Sequence, residues 1–266
     1  MNKKGTQFGE PQPPLHKANI SNEDNIDLFL LAGQSNMKGR AKIEMNPDQN
    51  KNTLFFHSKE LSWFIARDPL HAQGTPDLID GKDNSGTGPA MSFARTLTEH
   101  GYNNTIGFIP SAVGGAPIDT FSAEGDLYIR SLKLYKQSIE IANANCKLKA
   151  ILWLQGESDS TESKYQGYES KLLDLVDRYR RDLNMPELPF IACTIGSFLH
   201  KGDFLFTKEI NLTLLNLPKH REYTLTIDAR DIESHNGDAI HYDYDAQIEI
   251  GKRFAAAYHS LSKKSI

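Results

Sequence analysis

Cysteine is scarce in this chain: Cys146 and Cys193 are the only two among 266 residues. Two thiols cannot form the disulfide framework of a small secreted scaffold. Each lies in or beside an apolar stretch, so both are expected as buried free thiols. Long apolar runs are also missing. No segment reaches the roughly 18 consecutive apolar residues of a membrane-spanning helix. Residues 1–25, with Pro11, Pro13 and Pro14, form a polar N-terminal extension without the apolar run of a secretory signal. A cytoplasmic protein with no membrane partner is expected, or a secreted one if a leader has been removed. An excess of charge of one sign is absent, because 30 Lys and Arg face 34 Asp and Glu for a net charge of -4. Nucleic acid is therefore not expected as a partner. Neither G-x-x-x-x-G-K-[ST] nor G-x-G-x-x-G occurs, which argues against nucleotide cofactors.

What is present fits one globular α/β domain over residues 26–266, since 39% of the chain is apolar and 24% charged. Short apolar runs at 26–32, 105–110, 149–154 and 189–195, with a fifth at 223–228, read as strands buried on both faces. Helical patterns separate them. Pro89 to His100 has a proline near its start and Gly101 just beyond its end. Residues 128–144 carry Ile129, Leu132, Leu134, Tyr135 and Ile139 near helical spacing. Residues 164–183 place Tyr168, Leu172, Leu175, Val176 and Tyr179 on one face, and Tyr244 to Leu261 make a last helix. This alternation predicts a mainly parallel sheet with helices on both sides, whose ligands lie beyond the carboxyl ends of the strands. The segment 34–88 reads as mostly loop with one short strand around Leu54-Phe55-Phe56, overhanging that edge.

Three strands end in unusual segments: Gly33-Gln34-Ser35-Asn36-Met37, Ser111-Ala112-Val113-Gly114-Gly115, and Gln155-Gly156-Glu157-Ser158-Asp159. A parallel sheet gathers all three at one edge. Nucleophilic hydrolysis needs a hydroxyl, a base, and donors aimed at the developing oxyanion. Ser35 offers the hydroxyl. Its own N–H, an N–H from Gly114 or Gly115, and the Gln155 amide offer three donors. Asp238-Ala239-Ile240-His241 offers the base, with a carboxylate three residues before a histidine able to hold one ring nitrogen while the other takes the serine proton.

Each residue also has a plainer reading. A serine after a strand is commonly a turn or cap residue, and the alternative reading of Asp238 is a charge at a helix N-terminus. Glu157 and Asp159 form either an acid/base pair or, as preferred here, braces that bond backbone N–H groups or Arg40. His235, Asp238, His241 and Asp243 invite a metal reading, but match no spacing such as H-E-x-x-H, so no metal is expected. His57, His71 and His200 are expected at the surface. Trp63 and Phe64 suit either a sugar ring or the core. Met37 replaces the last glycine of G-x-S-x-G, which disfavours the α/β-hydrolase elbow.

Together, Gly33-Gln34-Ser35-Asn36-Met37, Gly88-Pro89, Gly114-Gly115, Trp153-Leu154-Gln155-Gly156-Glu157-Ser158-Asp159 and Asp238…His241 resemble the SGNH/GDSL hydrolases. They are most similar to the branch of sialate O-acetylesterases and acetylxylan esterases, the sixth carbohydrate-esterase family, with matching motifs from about residue 27 to about 258. The resemblance implies a flavodoxin-like α/β/α sandwich and a serine esterase acting on O-acetylated carbohydrate without a cofactor. It implies Ser35 as nucleophile, Asp238 and His241 as its partners, and an oxyanion hole from Ser35, a glycine of the Gly114-Gly115 pair, and Gln155. Gln34, Asn36 and Glu157 would support the site. The general SGNH pattern has an asparagine in its third block; Gln155 stands there, as in the carbohydrate-esterase branch. The alternatives are a short-chain lipid or thioester hydrolase on the same scaffold, disfavoured by the polar 34–88 segment, and a noncatalytic carbohydrate-binding protein.

Overall fold

The run Asn25–Gly33 alternates two sets of apolar side chains, and both are buried. Ile26, Leu28, Leu30 and Ala32 enter one core, while Phe29 and Leu31 enter a second core on the opposite side. A strand covered on both faces belongs at the centre of a parallel sheet. In the computed structural model, which describes residues 14–43, 50–200, 202 and 204–263, this strand, β1, lies fourth in a seven-stranded sheet. The others are β2 (Thr53–His57), β3 (Ser62–Ile65), β4 (Thr105–Pro110), β5 (Asn145–Leu154), β6 (Phe190–Cys193) and β7 (Thr224–Ile227), in the order β3-β2-β4-β1-β5-β6-β7. Among the pairings of these seven strands, β2–β3 is antiparallel and the rest are parallel.

The helices are α1 (Ser35–Lys38), α2 (Ala90–Glu99), α3 (Asp126–Ala142), α4 (Tyr168–Asp182), α5 (Thr207–His220) and α6 (Tyr244–Ser262). Helices α3, α4 and α5 cover one face of the sheet, and α2 and α6 the other. The fold is the expected three-layer α/β/α sandwich. Phe29, Phe93, Phe108 and Tyr258 interlock edge-to-face or tilted beneath α2 and α6, at centroid distances of 4.9–6.4 Å.

Several expectations change. The 34–88 segment holds the whole β2–β3 hairpin and α1 rather than a single strand; its residues 44–49 lie outside the described residues, as do residues 1–13 of the N-terminal extension. Residues 16–18 of that extension pair with the edge of β3. Trp63 and Phe64 are core residues, the Trp63 indole donating to Ser138 O at 3.0 Å. On α3 the buried face runs through Leu127, Ser131, Leu134, Ser138 and Ala142, where small residues let the helix lie close, and Ile129 is left exposed. His57 and His71 are buried, not superficial. Cys193 is buried, whereas Cys146, near the amino end of β5, is only half-buried; both are free thiols.

Candidate active site

The order β4-β1-β5 brings the three unusual segments side by side at the carboxyl edge. Gly33 ends β1 at φ +133°, and a Cβ there would meet Leu154 O at 2.2 Å. Only glycine lets β1 approach the end of β5 so closely and turn at once into α1. Gln34 N–H seals the junction by donating to Leu154 O at 3.0 Å. Ser35, the first residue of α1, is therefore held above the central strand, nearly buried at 4% exposure. As the first residue of a helix its N–H has no intrahelical acceptor.

The loop 235–242 crosses this edge. Asp238 Oδ1 accepts from the backbone N–H groups of Ile240 and His241, both at 2.9 Å, which folds the loop into a tight turn. Its other oxygen lies 2.6 Å from His241 Nδ1. His241 Nε2 lies 2.9 Å from Ser35 Oγ. Carboxylate, imidazole and hydroxyl thus form one continuous hydrogen-bonded line between residues 206 positions apart. Partial burial works to raise the Asp238 pKa. The hydrogen bonds from the His241 ring and from two backbone N–H groups outweigh it and hold the carboxyl well below the usual carboxylate range. Asp238 is an anion wherever the protein is folded near neutrality.

Asn36 docks this loop on α1. Its Nδ2 donates to Glu157 Oε1 at 2.5 Å and to Ile240 O at 3.2 Å, and its Oδ1 accepts from Tyr242 N at 3.1 Å. The two backbone partners flank His241. Glu157 is buried with its second oxygen unpartnered among the described residues, and burial pushes its pKa up. Gln34 Oε1 accepts from Ser158 N and from Gln155 Nε2, both at 3.2 Å.

The expected donors separate in the structure. Gly114 N–H donates to Asp77 Oδ1 at 2.9 Å and is already spent. Gly115 N–H makes no hydrogen bond among the described residues. The Gln155 amide nitrogen faces Gln34 Oε1 (3.2 Å), Ala116 O (3.0 Å) and Asp159 Oδ2 (2.5 Å). Turning the amide over would set its oxygen against three oxygens, so Gln155 braces the three strand ends instead of presenting a free donor. Asp159 braces as expected, accepting also from Ile118 N at 2.8 Å. Arg40 is not its partner or that of Glu157; its guanidinium pairs with Asp77 at 2.5 Å.

His235 and Asp243 do not join a metal cluster. His235 Nδ1 accepts from Gly237 N, Asp243 caps α6 through Ala246 N, and no group of three metal-ligating side chains occurs among the described residues. Asp77 and Lys38, which the sequence does not single out, link the Ser35 turn to Gly114. The signal available was the acidic trio Asp77, Asp80 and Asp83 following two cations, Lys38 and Arg40, just after Ser35.

Residues 25–260 match the model of the carbohydrate esterases of the sialic acid-specific acetylesterase family. The chain belongs to this family. A probable carbohydrate esterase of Arabidopsis thaliana is 29% identical over 269 residues, covering 95% of this chain and 96% of the relative. The solved structure of that Arabidopsis protein superposes with a TM-score of 0.76 at 28% identity, covering 90% of this chain and 98% of the other. NanS shares the fold at a TM-score of 0.70 and 15% identity, over 92% of this chain and all of the other (100%). A carbohydrate acetylesterase from Xanthomonas citri does so at 0.59 and 17%, over 90% of this chain and 57% of the other. Family membership bears out the resemblance carried by the motifs and places the chain among the carbohydrate esterases.

Proposed function

We propose that this carbohydrate esterase removes O-acetyl groups from sugars through an acetyl-enzyme on Ser35. The observation that carries the reading is the unbroken line Ser35 Oγ–His241 Nε2, His241 Nδ1–Asp238 Oδ2, at 2.9 and 2.6 Å. His241 takes the Ser35 proton as Oγ attacks the acetyl carbonyl, and Asp238, ionised throughout, holds the ring in the tautomer with its free nitrogen toward serine. The N–H groups of Ser35 and Gly115 receive the oxyanion. As the bond from acetyl carbon to sugar oxygen breaks, His241 gives the proton to that oxygen, so that the sugar leaves as an alcohol and the acetyl group stays on Ser35. Water, deprotonated by the same ring, releases acetate and restores Ser35.

Membership in the sialic acid-specific acetylesterase family supports an acetyl group over the lipid or thioester alternative. The test is acetate release from acetylated oligosaccharides, run beside aryl esters of increasing acyl length. Turnover that is highest with acetyl and falls with chain length, together with release from at least one acetylated sugar, agrees with the reading. Preference for long acyl chains contradicts it.

A further inference from the structure

Nothing in the proposed chemistry uses residues 74–83, yet this segment is tied to both halves of the site. Lys38, whose side chain is fully buried, places Nζ 2.9 Å from Thr75 O, 2.7 Å from Asp77 Oδ1 and 2.9 Å from Asp83 Oδ1. Arg40 holds Asp77 Oδ2 at 2.5 Å. Asp77 Oδ1 reaches across to Gly114 N–H, and Leu78 N–H answers by donating to Gly114 O at 2.9 Å. Two further backbone bonds, Asp77 N to Lys82 O at 2.9 Å and Gly81 N to Asp77 O at 3.0 Å, close the turn. Its backbone is thus locked to the nucleophile helix on one side and to the glycine turn on the other.

The tip of this rigid turn is apolar and open to solvent. Leu78 is 53% exposed and Ile79 is 82% exposed. An isolated exposed leucine or isoleucine needs no explanation, but these two are adjacent, pre-ordered, and packed on the Gly114-Gly115 turn. A Cβ placed on Gly115 would lie 2.4 Å from Ile79 Cγ1, so the isoleucine side chain lies directly against the glycine whose N–H is unspent. A larger residue at 115, where φ is +73°, would displace it.

We propose that Leu78 and Ile79 form the carbohydrate platform of this site, the wall against which the C–H face of the acetylated sugar ring lies while its ester points at Ser35. The proposal rests on the acetylesterase reading above. A sugar ring presents hydroxyls at its rim and an apolar face of C–H groups, and removing that face and the two side chains from water favours binding roughly in proportion to area. Because the turn is already fixed by Lys38, Arg40 and Gly114, little ordering cost opposes that gain.

The test compares Leu78→Ser, Ile79→Ser and Ile79→Leu with the parent, each checked by thermal melting. Steady-state rates are measured on 4-nitrophenyl acetate and on whichever the parent turns over better, an acetylated xylo-oligosaccharide or an O-acetylated sialoside. The expected result is that both serine variants lose about fivefold or more in kcat/KM on the sugar relative to the aryl acetate, mainly through KM. Ile79→Leu should keep the parental ratio. Equal losses on both substrates overturn the platform and assign the pair to the acyl group or to the shape of the oxyanion turn. No loss on either also overturns it. A parent that hydrolyses the aryl acetate and neither sugar refutes the carbohydrate reading itself, whereas an active parent with an unmoved ratio refutes only the platform.

Discussion

Replacing Asn36 by alanine tests whether the base is positioned through a single side chain. Asn36 contributes three hydrogen bonds, one to buried Glu157 and two to backbone groups on either side of His241. The two backbone bonds are neutral pairs worth about 1 kcal/mol each, and the Glu157 bond, if charged, about 1.5–3 kcal/mol. Deletion also strands Tyr242 N–H and a buried carboxyl. The expected loss of stability is about 2–4 kcal/mol, reduced where water enters the space. The catalytic effect is larger in proportion, because His241 must sit within hydrogen-bond reach of Ser35 Oγ. A displacement near 1 Å costs on the order of 100-fold. Denaturant unfolding and aryl-acetate kinetics of Asn36→Ala, measured at a temperature where the variant is folded, read the two effects separately. A folded variant with kcat within threefold of the parent would refute the docking argument, whatever its stability.

Other consequences follow from the charges. Asp77→Ala leaves buried Lys38 and Arg40 without their shared anion, and urea titration should show a loss of roughly 3–5 kcal/mol; a loss below about 1 kcal/mol contradicts the pinned turn. Burial pushes Asp68 up to about 7 against the opposing Gly88 N–H and Arg95, so the folded protein binds its proton more tightly than the unfolded chain. The Asp68 contribution to stability should therefore fall as pH rises from about 4 to about 7, and Asp68→Asn should exceed the parent at pH 8 by roughly 1–3 kcal/mol, with the gap closing near pH 4. Thermal melts at both pH values check this, and a variant less stable than the parent at pH 8 contradicts it. A chelator should leave aryl-acetate turnover unchanged, since the proposed Ser35–His241–Asp238 mechanism calls on no metal; loss of turnover restored by a divalent ion would contradict that.

Most of the architecture is legible in the sequence because parallel strands covered on both faces are continuous apolar runs. The runs at 26–32, 105–110, 149–154, 189–195 and 223–228 all correspond to strands. The hairpin β2–β3 was harder to read, because its second strand, Ser62–Ile65, is short and follows Leu61 in a left-handed turn at φ 46° that no glycine announces. Helix α5 has a clear stripe in Ile210, Leu214 and Leu217, but its start lacks a side-chain cap and Pro218 interrupts its end. At the site, strand-end position singled out Ser35, and the Asp238…His241 spacing was enough for its partners. The fate of individual donors was not legible. Gly114 and Gly115 are equivalent in sequence, and only the arrival of Asp77 from a distant turn distinguishes them. Gln155 reads as a donor until the three acceptors around its amide are seen. His71 looks superficial in sequence, yet burial beside Lys38, Arg130 and Arg40 holds its pKa well below the usual imidazole range and keeps it neutral.

The central claim is that Ser35 is the nucleophile, and its most direct measurement is the turnover of 4-nitrophenyl acetate by Ser35→Ala. The hydroxyl is nearly buried and its bonded partner is His241, so its loss leaves the sheet, the Asn36 contacts and the His241–Asp238 pair in place. The account predicts an unchanged melting curve to within a few degrees and a fall in kcat of roughly 10⁴-fold or more. Turnover within threefold of the parent by the folded variant would contradict it.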